Sequence, residues 1–253
     1  MTMATFVLVH GGGHGGWCWK PTAEVLRKAG HEVYTPTLTG FGERSHLDTS
    51  MVTFETFVDD VANVLRFEDL HDVVLVGHSM GGVIVPRVAE AVPDRIHRVV
   101  WLTAAVCSDG QSLLDTVPQS PAIAAAVTIG EDGTPHTDPE KILDAAIHDG
   151  TPEQRAFVHD RHLPYPPHAL VEKGRLSAFL RLWIPTGYVV ARDDRTIERH
   201  VQESLAKRLP DARVASVPGG HDCMITQPLP VAVALASMAP DRPEDADAPA
   251  LES

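Results

Sequence analysis

Several things are scarce in this chain, and each scarcity removes a class of protein. It has only three cysteines, Cys18, Cys107 and Cys223, odd in number and far apart. That is not the pattern of a disulfide framework or of a structural zinc site, and a reducing cytosol is the simplest compartment for it. No run approaches the ~20 apolar residues that a membrane span needs. The opening, Met1-Thr2-Met3-Ala4, has no basic region or cleavage site, so no secretory leader is expected. Basic residues are few: Lys and Arg total 21 against 34 Asp and Glu, a formal net charge of −13. This balance argues against a nucleic-acid footprint. Part of the acidic excess lies in Asp241 to Ser253, which reads as a solvated tail.

What remains is ample material for one core. With 253 residues, 43% hydrophobic and 22% charged, the chain fits one large α/β domain over residues 1–239. Residues 240–253, rich in proline and acid, are expected to be disordered. Strands are expected at Phe6–Val9, Glu32–Tyr34, Val73–Val76, Val99–Leu102, Gly187–Ala191 and Arg213–Val217, mostly continuous apolar runs as in a sheet covered on both faces. Helical patterns lie near Pro21–Lys28, Phe54–Phe67, Met80–Ala91, Thr196–Arg208 and Pro228–Ser237. Their alternation predicts a parallel sheet with helices on both sides. From about residue 107 to 182 the alternation lapses into proline clusters and short helical pieces such as Pro139–His148. An insertion there, between the fourth and fifth strands, reads as a cap over the sheet's C-terminal edge, where open α/β sheets bind ligands. Pro86 falls inside the third helix, where it should kink the chain, and the sequence offers no reason for it.

The most informative segment is Gly77-His78-Ser79-Met80-Gly81, between the apolar runs Val73–Val76 and Gly82–Val85. A serine where a buried strand turns sharply into a helix is a nucleophile elbow: the turn lifts its hydroxyl above the sheet, and Gly77 and Gly81 leave the room that this needs. A serine hydroxyl needs a base. His221 follows the last strand in the turn Pro218-Gly219-Gly220, which selects it from 14 histidines. Its orienting acid must come between serine and histidine in the chain. Asp193 and Asp194 both follow the fifth strand; context and spacing favour Asp194, and Asp222 is too near His221 in sequence. Negative charge on an attacked carbonyl needs preorganised donors. One is the N–H of Met80; the other comes from the loop His10-Gly11-Gly12-Gly13-His14-Gly15-Gly16, with Gly12 preferred and Gly11 and Gly13 as alternatives. A phosphate-cradling role for this loop is weak, because the elbow already accounts for it.

Together these residues resemble a serine-dependent α/β-hydrolase. More narrowly, Phe6 through Trp19, Gly30-His31-Glu32-Val33, the elbow, Asp194 and Gly219-Gly220-His221 resemble the plant hydroxynitrile lyase and methylesterase group, including methyl salicylate esterases, and their bacterial relatives. The likeness covers roughly residues 6–104 and 186–238 and leaves out the cap. It implies a six-stranded, mostly parallel sheet, a Ser79-Asp194-His221 triad, no cofactor, a buried pocket for a small ester, and compatibility with a homodimer. Two departures separate lyase from esterase. The plant lyases have threonine where this chain has Gly11, and a lysine after the catalytic histidine where this chain has Asp222. An acidic group there would oppose a departing cyanide, so ester hydrolysis is the expected chemistry.

Further expectations concern the pocket. Gly11, His14, Cys107 and Met224 are its candidate lining. His10 and His14 are expected to brace the loop by hydrogen bonds rather than bind metal, and His78 to support the elbow. The rival readings are a lactone, thioester or carbon–carbon bond hydrolase of secondary metabolism, and a small-molecule receptor on the same fold with little turnover.

Overall fold

The computed structural model describes residues 3–49, 52–116, 121–131, 135–164 and 170–240. The proposed tail beyond residue 240 lies outside these. The elements run β1 (Thr5–Val9), α1 (Lys20–Lys28), β2 (Glu32–Tyr34), α2 (Phe54–Phe67), β3 (Val73–His78), α3 (Gly81–Ala91) and β4 (Ile96–Leu102). After β4 come α4 (Leu113–Thr116), α5 (Pro121–Ala126), a two-stranded antiparallel hairpin of β5 (Val127–Ile129) and β6 (Pro135–Thr137), α6 (Pro139–Ala146), α7 (Pro152–His159) and α8 (Leu176–Leu180). The chain then returns to the sheet with β7 (Thr186–Ala191), α9 (Arg199–Ala206), β8 (Arg213–Val217), α10 (Cys223–Thr226) and α11 (Pro228–Ala236).

The main sheet has six parallel strands in the order β2-β1-β3-β4-β7-β8. Strand order reverses between β1 and β3, and open α/β sheets place their ligand crevice at such a switch point, beyond the carboxyl ends of the strands. Every residue of β3 and of β7 is buried, which explains their unbroken apolar runs. Two cores flank the sheet. Phe57, Val61 and Leu65 of α2 meet Ile84 and Val88 of α3 and the sheet side chains Trp101 and Tyr188 on one face. Trp19, Leu26 of α1, Val231 and Leu235 of α11, and Met224 fill the other. Helix α2 shows how local sequence sets these limits. Thr53 and Thr56 form a reciprocal capping box, and Phe54, Phe57, Val58, Val61 and Leu65 make one buried stripe.

Three elements differ from expectation for physical reasons. Strand β3 continues through Gly77 and His78 because both still pair with Trp101 and Leu102. Strand β4 starts earlier, at Ile96, since the polar Arg98 is accommodated: its guanidinium donates to the carbonyls of Met238 and Thr186. Helix α9 starts later, at Arg199, because the Asp194 side chain captures the N–H groups of Thr196 and Ile197 in a local turn. Pro86 also finds its explanation. A proline at 86 leaves the carbonyl of Gly82, four residues back, without its helical donor. The indole N–H of Trp101, on β4, donates to that carbonyl at 2.9 Å.

Candidate active site

Ser79 sits at the C-terminal end of β3 with φ of 52°, in the left-handed region that most side chains avoid. Its neighbours make that turn possible. A Cβ on Gly77 would fall 2.6 Å from the Gly81 carbonyl oxygen, and one on Gly81 would fall 3.0 Å from the carbonyl oxygens of Val9 and His10. The elbow is pinned from outside by Ala105 N–H donating to the Ser79 carbonyl at 3.3 Å.

His221 and Asp194 are brought together. Their Nδ1 and Oδ2 atoms are 2.8 Å apart, both residues are buried, and Asp194 leaves the end of β7 as its position in the chain requires. Four further donors surround the same carboxylate: the N–H groups of Thr196 and Ile197 on Oδ1, and Gln202 Nε2 and Thr103 Oγ1 on Oδ2. Thr103 Oγ1 is also 2.7 Å from His221 Nδ1. Asp193, the rival acid, turns elsewhere: its carboxylate accepts from Gly219 N–H and its own N–H donates to the Gly219 carbonyl. It shapes the turn that carries His221. The other ring nitrogen of His221, Nε2, is buried and makes no hydrogen bond among the described residues. Ser79 and His221 share neighbours. A Cβ on Gly11 would lie 2.8 Å from Ser79 Cβ and 3.0 Å from His78 Nδ1, and the His78 and His221 rings are 4.8 Å apart.

The glycine loop follows β1 and lies against the elbow. His10 Nδ1 donates to the Gly11 carbonyl at 2.7 Å and its Nε2 accepts from Leu38 N–H, so the ring is neutral. Burial pushes its pKa down to about 3, against the pull of the Gly11 carbonyl. His14 Nδ1 donates to the Gly12 carbonyl at 2.8 Å, and its Nε2 meets Asp222 Oδ2 at 3.2 Å. The backbone N–H groups of Gly12 and Met80 make no backbone hydrogen bond among the described residues. His78 donates through Nε2 to the His221 carbonyl, and burial, then His221, holds it well below the usual histidine range.

Asp222, which stands where the plant lyases carry lysine, turns toward the glycine loop. Its carboxylate is fully buried against His14. Cys107 is buried beneath Gly174, its sulfur accepts from Thr116 Oγ1, and burial raises its thiol pKa to about 11. Met224 is fully buried in the core shared with Trp19, while its carbonyl accepts from Thr22. Trp17 stacks on His14, and Trp19 approaches His78. Among the described residues, no group of three or more His, Cys, Asp or Glu is placed to hold a metal ion.

The cap is tied to both loops. Leu163 N–H donates to the Gly13 carbonyl, and the His162 ring occupies the space a Gly13 Cβ would take. Asp149 accepts from Gly220 N–H and Thr226 Oγ1, the Ala146 carbonyl accepts from Asp222 N–H, and His148 Nε2 donates to the Asp193 carbonyl. Thr103, Gln202 and Asp149 carry no motif. Thr103 lies just past a strand end and Asp149 in the cap, while Gln202 lies within α9, so position hinted at the first two alone.

Comparison with known proteins agrees with this architecture. A family model described as alpha/beta hydrolase family matches residues 6–235. A carbendazim hydrolyzing esterase of Nocardioides sp. is 35% identical over 246 residues, covering 93% of this chain and all of that protein. A putative methylesterase 15 of Arabidopsis thaliana is 30% identical over 85% of this chain, which spans 51% of the plant protein. Among solved structures, an extracellular α/β-hydrolase from a Paenibacillus species, described as a structural and functional homologue of tobacco salicylic acid binding protein 2, superposes with a TM-score of 0.80. It is 29% identical, over 94% of this chain and all of that one. No helix among the described residues is long and apolar enough to cross a membrane. By motif, sheet order and sequence likeness, this chain belongs to the α/β-hydrolase family.

Proposed function

We propose that this chain, an α/β-hydrolase of the carboxylesterase type, cleaves a small carboxylic ester through an acyl-enzyme on Ser79. The observation that carries this reading is the buried His221 Nδ1–Asp194 Oδ2 hydrogen bond, which leaves Nε2 open beside the elbow. Asp194 fixes the ring so that Nε2 is the basic nitrogen. His221 takes the Ser79 proton as Oγ attacks the ester carbonyl, then returns it to the departing alcohol. The N–H groups of Gly12 and Met80 receive the negative charge on the carbonyl oxygen. Water then attacks the acyl carbonyl while the same nitrogen takes its proton, and that proton passes to Ser79 Oγ as the acid leaves.

The relatives named as esterases and methylesterases support ester cleavage over the lyase reaction. With Gly11 there is no hydroxyl where the plant lyases carry threonine, and Asp222, already paired with His14, supplies no ammonium for a departing cyanide. The test is hydrolysis of short p-nitrophenyl esters by wild type and Ser79→Ala. A loss of kcat of at least ~10³-fold is expected, since members of such a unit fail together. Equal turnover by both proteins removes the reading, whereas stoichiometric ligand binding with no product over hours favours a receptor.

A further inference from the structure

We propose that His14 and Asp222 form a positioning pair that locks the oxyanion loop to the loop carrying the catalytic base, with His14 held as an imidazolium. The charge state follows from the partners. The Gly12 carbonyl, 2.8 Å from Nδ1, and the Asp222 carboxylate, 3.2 Å from Nε2, are both acceptors, so both ring nitrogens carry hydrogen. The ring has one orientation open to it. Trp17 stacks on its face, His78 and His162 stand edge-on, and only 3% of it is exposed.

The pair acts on the peptide beside the one that carries the Gly12 N–H. His10 anchors the Gly11 carbonyl and His14 anchors the Gly12 carbonyl, one residue further on. In a trans peptide the N–H points opposite its carbonyl. Fixing these two oxygens therefore aims the N–H groups of Gly12 and Gly13 the other way. Asp222 is the residue after His221, so one hydrogen bond links the loop of the oxyanion donors to that of the base. This rests on the hydrolytic reading above, with Gly12 as donor.

The groups facing His14 from all sides are consistent with a single cation there. His10, His78 and His162 are kept below the usual histidine range, first by burial. The Cys18 thiol is pushed up by burial and by Asp222. His221 lies beyond the His78 ring. Burial also works against the His14 cation, but the charge and hydrogen bond of Asp222, with the Gly12 carbonyl, outweigh it and raise its pKa.

Loss of the His14 proton must break one of its two hydrogen bonds, so the pair imposes an alkaline limb on kcat. The experiment combines two readouts on wild type, Asp222→Asn and His14→Gln. The first is p-nitrophenyl acetate kinetics from mildly acid to alkaline pH. The second is the ring-nitrogen NMR of histidine-labelled protein at neutral pH. Two protonated nitrogens on His14 are expected in wild type. Asp222→Asn, nearly isosteric and still able to accept from Nε2, should lower kcat about tenfold with KM little changed and move the alkaline limb to lower pH; removing an oxyanion donor outright costs ~10²–10³-fold. His14→Gln should lower kcat at least as much and lack that limb. A neutral His14 ring in wild type overturns the proposal. So does Asp222→Asn with wild-type kcat and limb, or with a changed KM alone. The NMR readout needs no turnover, so a wild type without esterase activity would sink the hydrolytic reading and still decide the charge state of the pair.

Discussion

Thr103, just past the end of β4, has φ of 39°, and a β-branched residue at positive φ is a strained one, costing about 1–3 kcal/mol. The strain sets its hydroxyl 2.8 Å from Asp194 Oδ2 and 2.7 Å from His221 Nδ1, inside the contact on which the proposed chemistry depends. Thr103→Val keeps the shape and the strain and deletes only the hydroxyl. Its kcat should fall about tenfold at unchanged KM, the ~1.5 kcal/mol of a hydrogen bond to a charged group. Steady-state kinetics on the ester that wild type cleaves best will show it, and wild-type kcat would deny Thr103 any positioning role. Ser79, His221 and Asp194 could be proposed from sequence because each stands in a motif or in a fixed slot of chain order. Thr103 was not, since a threonine after a buried strand looks like any other until its backbone angle is known. Asp222 shows the same limit: sequence shows that it follows His221, and only coordinates show which way its carboxylate turns.

Among the elements, α3 and β4 are joined by a repair. Proline in α3 removes one backbone donor, and the Trp101 indole of β4 replaces it at the Gly82 carbonyl. Trp101→Phe would leave that buried carbonyl unsatisfied, at ~1–3 kcal/mol, and thermal unfolding should move down by several degrees. Adding Pro86→Ala restores the N–H and should recover part of the loss. Strict additivity in this double-mutant cycle would mean that the two residues are not coupled. The repair was invisible in sequence because its parts are fifteen positions apart on different elements. Strands and helices themselves were easier to read. Glu32–Tyr34, Arg213–Val217 and Phe54–Phe67 have the ends that alternation, turn residues and capping imply. The errors fall where a side chain competes with the backbone, as Asp194 does at the start of α9. The cap hairpin of β5 and β6 left no periodic signal, each strand being three residues long.

At the scale of the molecule, the buried charge of His14 and Asp222 ties stability to pH. Asp222 is held well below its ordinary value of 3.8: burial opposes this, and His14 overrides it. Its stabilisation is therefore present above that value and lost as pH falls through the folded pKa. His14 is raised above its ordinary 6.5, so its stabilisation is complete below 6.5 and lost as pH rises through the folded pKa. The difference in Tm between wild type and Asp222→Asn should accordingly be widest between pH ~4 and ~6.5 and narrow on both sides. A difference independent of pH would dissociate the pair from folding. The parallel sheet and its crevice could be anticipated from the alternation of apolar runs, and the cap from their lapse, whereas the cap's internal fold could not, having neither periodicity nor a likeness to guide it. Its anchoring matters for anyone wishing to retool the enzyme. A donor lid transplanted in place of residues 107–182 would arrive without the Ala146 carbonyl, the Asp149 carboxylate and the Leu163 amide that clasp the glycine loop and the His221 loop. The cap is thus not a detachable cassette, and chimeras that exchange lids will succeed only when those three clasps travel with them.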